Sequence, residues 1–94
     1  MNRNELIDQI GQRTNLTKKD CGTALDAALE TIKTAVAHGE KVSLRGFGSF
    51  EPRPRAARTA RNPKSGELMN IAAKVVPVFN SAKDFAEAVQ NLRG

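Results

Sequence analysis

The sequence predicts an α+β fold with a helical first half, a three-stranded antiparallel sheet that carries a long protruding β-ribbon arm, and a short C-terminal helix. Apolar residues recur at helical spacing in the first part of the chain, and alternating segments with glycine-rich turns follow. Between two strand-like segments lies an arginine-rich stretch that holds no large apolar residue and cannot contribute to a core. We therefore predict one domain over residues 1–94, with a helical part (1–40), a sheet and arm (41–80, the arm at about 52–72) and a C-terminal helix (81–94).

Two helices are predicted in the first part of the chain, each opened by a capping residue. Asn2 stands three residues before Glu5, and Thr17 stands three residues before Asp20. In each case the side-chain oxygen can accept a hydrogen bond from a backbone N–H that the helix leaves free. The second helix is predicted from about Lys18 to His38, with a glycine after it as the stop signal. Its apolar face consists of Cys21, Ala24, Leu25, Ala28, Ile32, Ala35 and Val36.

A β-hairpin and a return strand follow the helices. Residues 41–45 alternate in polarity, and the glycine-flanked segment 46–48 is expected to turn tightly into a second strand. The apolar segment 75–79 is β-like, and we expect the proline inside it to interrupt the strand. The aromatic residues expected to supply the bulk of a small core are Phe47, Phe50 and Phe79.

The predicted C-terminal helix begins with a third capping pattern. Ser81 stands three residues before Asp84, which is the spacing of a capping box. One helical face then carries Phe85, Ala88, Val89 and Leu92.

The net charge of +5 is concentrated in one segment. Residues 53–64 hold five cations and no acid, so the remaining residues are balanced in charge. A localised cationic segment indicates a polyanion-binding element rather than a generally basic surface. Four of the five cations are arginines, whose permanent charge and forked shape suit phosphate groups.

Composition argues against several classes of protein. The chain has no apolar run of membrane-spanning length and no signal-peptide pattern at Met1, so we expect a soluble cytoplasmic protein. With one cysteine and one histidine, no Cys/His metal set can form, and we expect neither a metal nor another cofactor. No nucleophile stands with a base in a recognisable arrangement, which argues against an enzyme. A chain this small has a thin core, which makes dimerisation an early expectation.

The arm is predicted to be a two-stranded ribbon with a turn at its tip. The turn signal lies at Asn62-Pro63-Lys64-Ser65-Gly66. If the polyanion is a nucleic acid, the amide of Asn62 can donate to and accept from the edges of its bases. Pro63 is a rigid apolar block that can act as a wedge against a duplex.

The stretch Gly46-Phe47-Gly48-Ser49-Phe50, together with the sequence from Arg55 to Glu67, resembles the signature of the HU/integration host factor family of bacterial DNA-binding proteins. The similarity extends over essentially the whole chain, and Arg61-Asn62-Pro63 matches the family's arm tip. The resemblance implies an intertwined dimer whose arms enter the minor groove of double-stranded DNA, where each tip proline inserts between base pairs and kinks the duplex. It also implies a location in the nucleoid. A homodimer is expected, with a heterodimer as the alternative.

The resemblance assigns roles to individual residues. The position of the wedge corresponds to Pro63, and Leu25 and Ile32 join Phe47, Phe50 and Phe79 in the dimer core. The residues assigned to the DNA-binding arm are Arg53, Arg55, Arg58, Arg61, Asn62, Pro63 and Lys64. Those that match positions on the flanking DNA backbone are Arg3, Lys74 and Lys83.

The sequence departs from the family pattern at the arm. Ala60 stands where glycine is common, so a turn with positive φ is not expected there. Pro52 and Pro54 remove two backbone donors at the arm base and are expected to weaken pairing of the strands. In the helical part, Arg3 has an alternative partner in Asp26.

We expect binding that depends little on DNA sequence, since the minor groove mainly distinguishes A·T from G·C. DNA that is already bent, nicked or kinked should be preferred because part of its deformation is complete. The alternatives are a sequence-preferring subunit similar to integration host factor and a basic RNA-binding module.

Overall fold

A computed structural model describes residues 1–93 and places them in two compact units, one of Met1–Thr34 and one that begins at Ala35. The predicted α+β fold is confirmed. Residue 94, the last of the predicted C-terminal segment, lies outside the described residues. The elements are α1 (Arg3–Thr14), α2 (Lys18–Ala37), β1 (Val42–Leu44), β2 (Gly48–Arg55), β3 (Arg58–Arg61), β4 (Leu68–Ile71), β5 (Lys74–Ser81) and α3 (Lys83–Gln90), followed by a 3-10 turn at Asn91–Arg93.

The first two helices begin at the predicted caps. Asn2 Oδ1 accepts from the backbone N–H of Glu5 at 2.9 Å, and Thr17 Oγ1 accepts from that of Asp20 at 3.1 Å. The first helix ends at Asn15, whose φ of 62° is left-handed. Asparagine tolerates this conformation better than most residues, so it ends the helix where a glycine often would.

Little apolar surface is buried by the chain alone. Among the residues whose burial is described, Ile7 and Cys21 are the buried hydrophobic side chains, and both lie in the helical unit. No helix within residues 1–93 is long and apolar enough to cross a membrane. Larger apolar side chains that stay exposed on the single chain include Leu16, Leu29, Leu44, Phe47, Phe79, Phe85 and Val89.

The strands form a three-stranded sheet and a separate two-stranded ribbon. The sheet has the order β1-β2-β5, and the ribbon pairs β3 with β4; all of these pairs are antiparallel. The long ladder between β2 and β5 runs from Gly48 opposite Ser81 to Arg55 opposite Lys74. Residues 56–57 on one side and 72–73 on the other separate this ladder from the ribbon.

The expectation that Pro77 would interrupt the strand is wrong, and Pro52 and Pro54 do not break the ladder. Pairing between β2 and β5 continues through Pro52, Pro54 and Pro77, with Pro52 directly opposite Pro77. Residues two apart point their N–H groups towards the same strand edge, and opposed antiparallel residues point theirs either both inwards or both outwards. All three prolines therefore fit positions whose N–H would point outwards, where the ladder needs no donor. Beyond Phe50, β2 has no partner in β1, so prolines there also block pairing with another strand.

The third predicted cap is also wrong. Ser81 is the last residue of β5, and Ala82 takes the capping position without a side-chain hydrogen bond. The ladder extends to Ser81, which pairs with Gly48, so the serine is held in the strand. The backbone N–H of Ala82 instead donates to the carbonyl of Phe47 at 2.8 Å.

Four phenylalanine rings form a cluster between the sheet and α3. The ring of Phe79 lies 4.9 Å from that of Phe50 and 5.3 Å from that of Phe47, centre to centre, and Phe47 stacks on Phe85 at 5.4 Å. Gly48 permits this packing, because a Cβ there would lie 2.5 Å from the Phe79 ring. The expectation that Phe47 is buried does not hold within one chain, where 45% of its surface remains exposed.

Candidate nucleic-acid interface

The ribbon and the adjoining end of the sheet present most of the predicted arm cations. Arg55 ends β2, while Arg58 and Arg61 begin and end β3. In the ribbon Arg58 is opposite Ile71, and Arg61 is opposite Leu68. All three arginines are exposed. The strand pair therefore carries positive charge from the end of the sheet to the tip.

Three unpaired cations meet where the ribbon leaves the sheet. Arg55 and Lys74 are directly opposite each other, and a cavity of about 690 Å³ is lined by both of them, by Arg58 and by small residues such as Ala57. No acidic side chain lines this cavity, and within the described chain none forms an ion pair with these three cations. Like charges opposite each other destabilise a free sheet. An anion between them would relieve that repulsion, so this place suits a phosphate group.

Arg53 differs from the other predicted arm cations. It lies in β2 opposite Val76, within the sheet rather than the ribbon, and its Nη2 atom is 2.7 Å from Glu51 Oε1. Asn80 donates to the same carboxylate oxygen at 3.0 Å. The hydrogen bond from Arg53 holds the pKa of Glu51 below its ordinary value, with a further lowering from the Asn80 bond. The charge of Arg53 is therefore largely balanced by Glu51.

The sequence contained a signal for this pairing that the charge count missed. Glu51 lies just outside the acid-free segment 53–64, so a charge count over that segment leaves Arg53 without an acidic partner. Residues two apart on a strand project from the same face, which brings Glu51 and Arg53 together once this segment is a strand.

The tip is a closed turn with Pro63 exposed on it. Arg61 Nη1 donates to the carbonyl of Gly66 at 2.7 Å. Asn62 is half-buried, and its Oδ1 atom accepts from the backbone N–H of Lys64 at 2.9 Å, so this oxygen already has one partner within the tip. Ala60 does not have a positive φ; Gly66, with φ 74°, supplies that conformation.

The predicted flanking cations differ in how closely each is paired with an acidic side chain. Arg3 forms two hydrogen bonds with the Asp26 carboxylate, at 2.8 and 2.9 Å, which is the alternative pairing that the sequence suggested. Lys83 is 87% exposed and lies 3.9 Å from Glu87, at the limit of an ion pair. Lys74 has no such partner among the described residues, and it lies opposite Arg55 at the end of the sheet next to the ribbon.

Comparisons with known proteins agree with this architecture. The family model described as bacterial DNA-binding protein matches residues 1–90. The DNA-binding protein HU of Clostridium pasteurianum is 49% identical over 89 residues, which cover 95% of this chain and 98% of that protein. The chain in an Anabaena HU–DNA cocrystal structure is 52% identical with a TM-score of 0.88, and the match covers 95% of this chain and 97% of the Anabaena chain. HU from Thermotoga maritima is 38% identical with a TM-score of 0.68, covering 95% of this chain and 98% of that one.

The family match spans nearly all of the chain, and relatives of about half-identical sequence match it from end to end. The predicted resemblance is thereby confirmed. This chain belongs to the HU/integration host factor family of bacterial DNA-binding proteins.

Proposed function

We propose that two copies of this chain form an architectural protein that binds and bends double-stranded DNA with little dependence on sequence. The observation that carries this proposal is an exposed proline at the tip of a ribbon whose cations form no ion pair with an acidic side chain within residues 1–93. Family membership and the DNA-bound state of the 52% identical Anabaena chain support it. In the cell this activity would compact and organise the bacterial chromosome in the nucleoid.

The ribbon cations bind phosphates while the tip enters the minor groove. Arg55, Arg58 and Lys74 contact the backbone at the arm base, and Lys64 adds charge near the tip. Pro63 inserts between base pairs, which costs a few kcal/mol for each step that is unstacked. Phosphate contacts along the arms and flanks offset that cost and release counterions, so binding should fall steeply as salt rises.

A second copy of the chain supplies the core that one copy lacks. In one chain Phe47 and Phe79 keep 45% and 38% of their surface exposed, and Leu25, Ile32 and Phe50 are half-buried. An exposed aromatic cluster of this kind is stabilised when a partner covers it. The dimer places one arm on either side of the bend, and light scattering should therefore give twice the chain mass; a stable monomer would contradict the two-armed model.

Replacing Pro63 with Ala tests the wedge. The Pro63→Ala variant should fold normally and bind DNA, but it should promote circularisation of a short duplex much less than the parent protein. Unchanged circularisation would contradict insertion of Pro63. The same titration at two salt concentrations, with intact, nicked and sequence-varied duplexes, tests the DNA preference; tighter binding to structured RNA would favour the RNA-binding alternative.

A further inference from the structure

The arm tip holds Asn62 through three of its polar atoms. Its backbone N–H donates to the carbonyl of Glu67 at 2.7 Å, its own carbonyl accepts from Gly66 N–H at 2.7 Å, and its Oδ1 atom accepts from Lys64 N–H at 2.9 Å. The last bond spans Pro63 and forms an Asx-turn, in which the side chain takes the place of a backbone acceptor. The orientation of Pro63 is therefore tied to the side chain of Asn62.

Few torsions remain free at this place. The proline ring fixes φ of Pro63, and the same ring restricts the backbone of Asn62 to extended conformations. The hydrogen bond of the Asx-turn limits the side-chain torsions of Asn62 and the backbone torsions between Asn62 and Lys64. An apolar wedge that is already oriented loses less conformational entropy when it enters a base step than one on a flexible loop.

Arg61 braces the same turn from the end of β3. Its backbone is paired with Leu68 across the ribbon, and its Nη1 atom reaches the carbonyl of Gly66 at 2.7 Å. Gly66 itself donates to Asn62, so the arginine holds the far side of the turn that presents Pro63. A guanidinium group has further N–H donors, which leaves Arg61 able to contact a phosphate at the same time.

We propose that Asn62 and Arg61 are positioning residues that hold Pro63 ready for insertion, and that their main contribution is to bending rather than to affinity. This inference rests on the proposed function, since it specifies how the wedge of that function is oriented. The hydrogen bonds described for residues 62–67 all close within residues 61–67, so the tip can be altered without a change in the fold.

Asn62 is tested with two substitutions, to alanine and to serine, which differ only in the hydroxyl group of serine. Asn62→Ala removes the acceptor for Lys64 N–H, whereas Asn62→Ser keeps an oxygen that can form the related, weaker turn but removes the amide donors. The measurement is single-molecule energy transfer between the ends of a labelled duplex at saturating protein. Asn62→Ala should lower the ratio of strongly bent to weakly bent complexes roughly fivefold, the value of one net hydrogen bond, and Asn62→Ser should restore part of it.

Arg61 is tested against Arg55, a cation of equal charge that makes no bond to the tip. Arg61→Ala should lower the bent fraction at saturation, whereas Arg55→Ala should weaken binding and leave the bent fraction of the bound complexes unchanged. Arg61→Lys, which can still donate to the Gly66 carbonyl, should recover part of the bending. Thermal unfolding followed by circular dichroism should be the same for all of these variants.

Results that differ from these expectations distinguish failure of the positioning roles from failure of the proposed function. Bending by Asn62→Ala and Arg61→Ala that equals the parent would overturn the positioning roles while leaving the proposed function intact. An Asn62→Ser variant as deficient as Asn62→Ala would also overturn the turn-holding role of Asn62 and assign its effect to a direct amide contact with DNA. Absence of bending by the parent protein itself would instead refute the proposed function.

Discussion

The sheet and the ribbon are built from successive parts of the same two chain segments, yet they differ in what holds them and in what they offer to a ligand. The sheet carries the phenylalanine cluster, and its cation Arg53 is bound to Glu51. The ribbon has no aromatic residue. Arg58 on the ribbon, and Arg55 and Lys74 at the adjoining end of the sheet, have no acidic partner within the described chain. The comparison shows that the fold depends on the sheet, whereas the available charge lies on the ribbon and at the end of the sheet that adjoins it.

Removing a central ring of the cluster should have the largest effect. The ring of Phe79 lies within 6.3 Å, centre to centre, of three other rings, and Phe79→Ala should lower the free energy of unfolding by about 3 kcal/mol. The measurement is urea denaturation at fixed protein concentration. Leu68→Ala is the control on the ribbon, where the side chain is 70% exposed, and it should change stability by less than about 0.5 kcal/mol. Equal losses for both variants would show that the ribbon contributes to the fold as much as the sheet does.

Two arginines that differ in pairing should differ in their effect on DNA binding. Arg58→Ala should flatten the dependence of log affinity on log salt by about 0.9 for each Arg58 on a phosphate. Arg53→Ala should flatten it less, because Arg53 is held by Glu51 at 2.7 Å and binds phosphate only after leaving that carboxylate. Fluorescence titrations at several salt concentrations provide the slopes. A larger change for Arg53→Ala than for Arg58→Ala would contradict the distinction between paired and unpaired cations.

Features that depend on residues close together in the chain are predictable from the sequence, whereas features that depend on strand pairing are not. The first two helix caps depend on side chains and spacings within one turn, so Asn2 and Thr17 were predictable. The ribbon was predictable as well, since a charged stretch without large apolar residues cannot enter a core. The failures came from strand pairing: Ser81 was held in the ladder instead of capping a helix, and Pro77 fitted an outward-facing position. Both outcomes depend on a register that one segment alone does not determine.

Removing the acidic side chain of Glu51 should leave Arg53 without an acidic partner, as Arg58 is. Glu51→Gln eliminates the charge that faces Arg53, and the variant should bind DNA more tightly at low salt, with a slope steeper by up to about 0.9 for each Arg53 released. The control is Glu67→Gln near the tip, which changes the net charge equally but has no cation in ion-pair contact among the described residues. If both variants gain equally, total charge rather than release of Arg53 accounts for the gain.

The smallest expected effect is a shift in the titration of Glu51. Its pKa is held below the ordinary value chiefly by the hydrogen bond from Arg53, with smaller contributions from Asn80 and from the charge of Lys41. A carboxyl group whose pKa is lower in the folded state stabilises the fold above its unfolded pKa. That contribution is lost as the pH falls through the lowered value. In Arg53→Gln the pKa of Glu51 should therefore rise towards the ordinary value, as followed by the carboxyl carbon shift in NMR. The bond from Asn80 should keep the rise incomplete, whereas an unchanged midpoint would mean that Arg53 does not pair with Glu51 in solution.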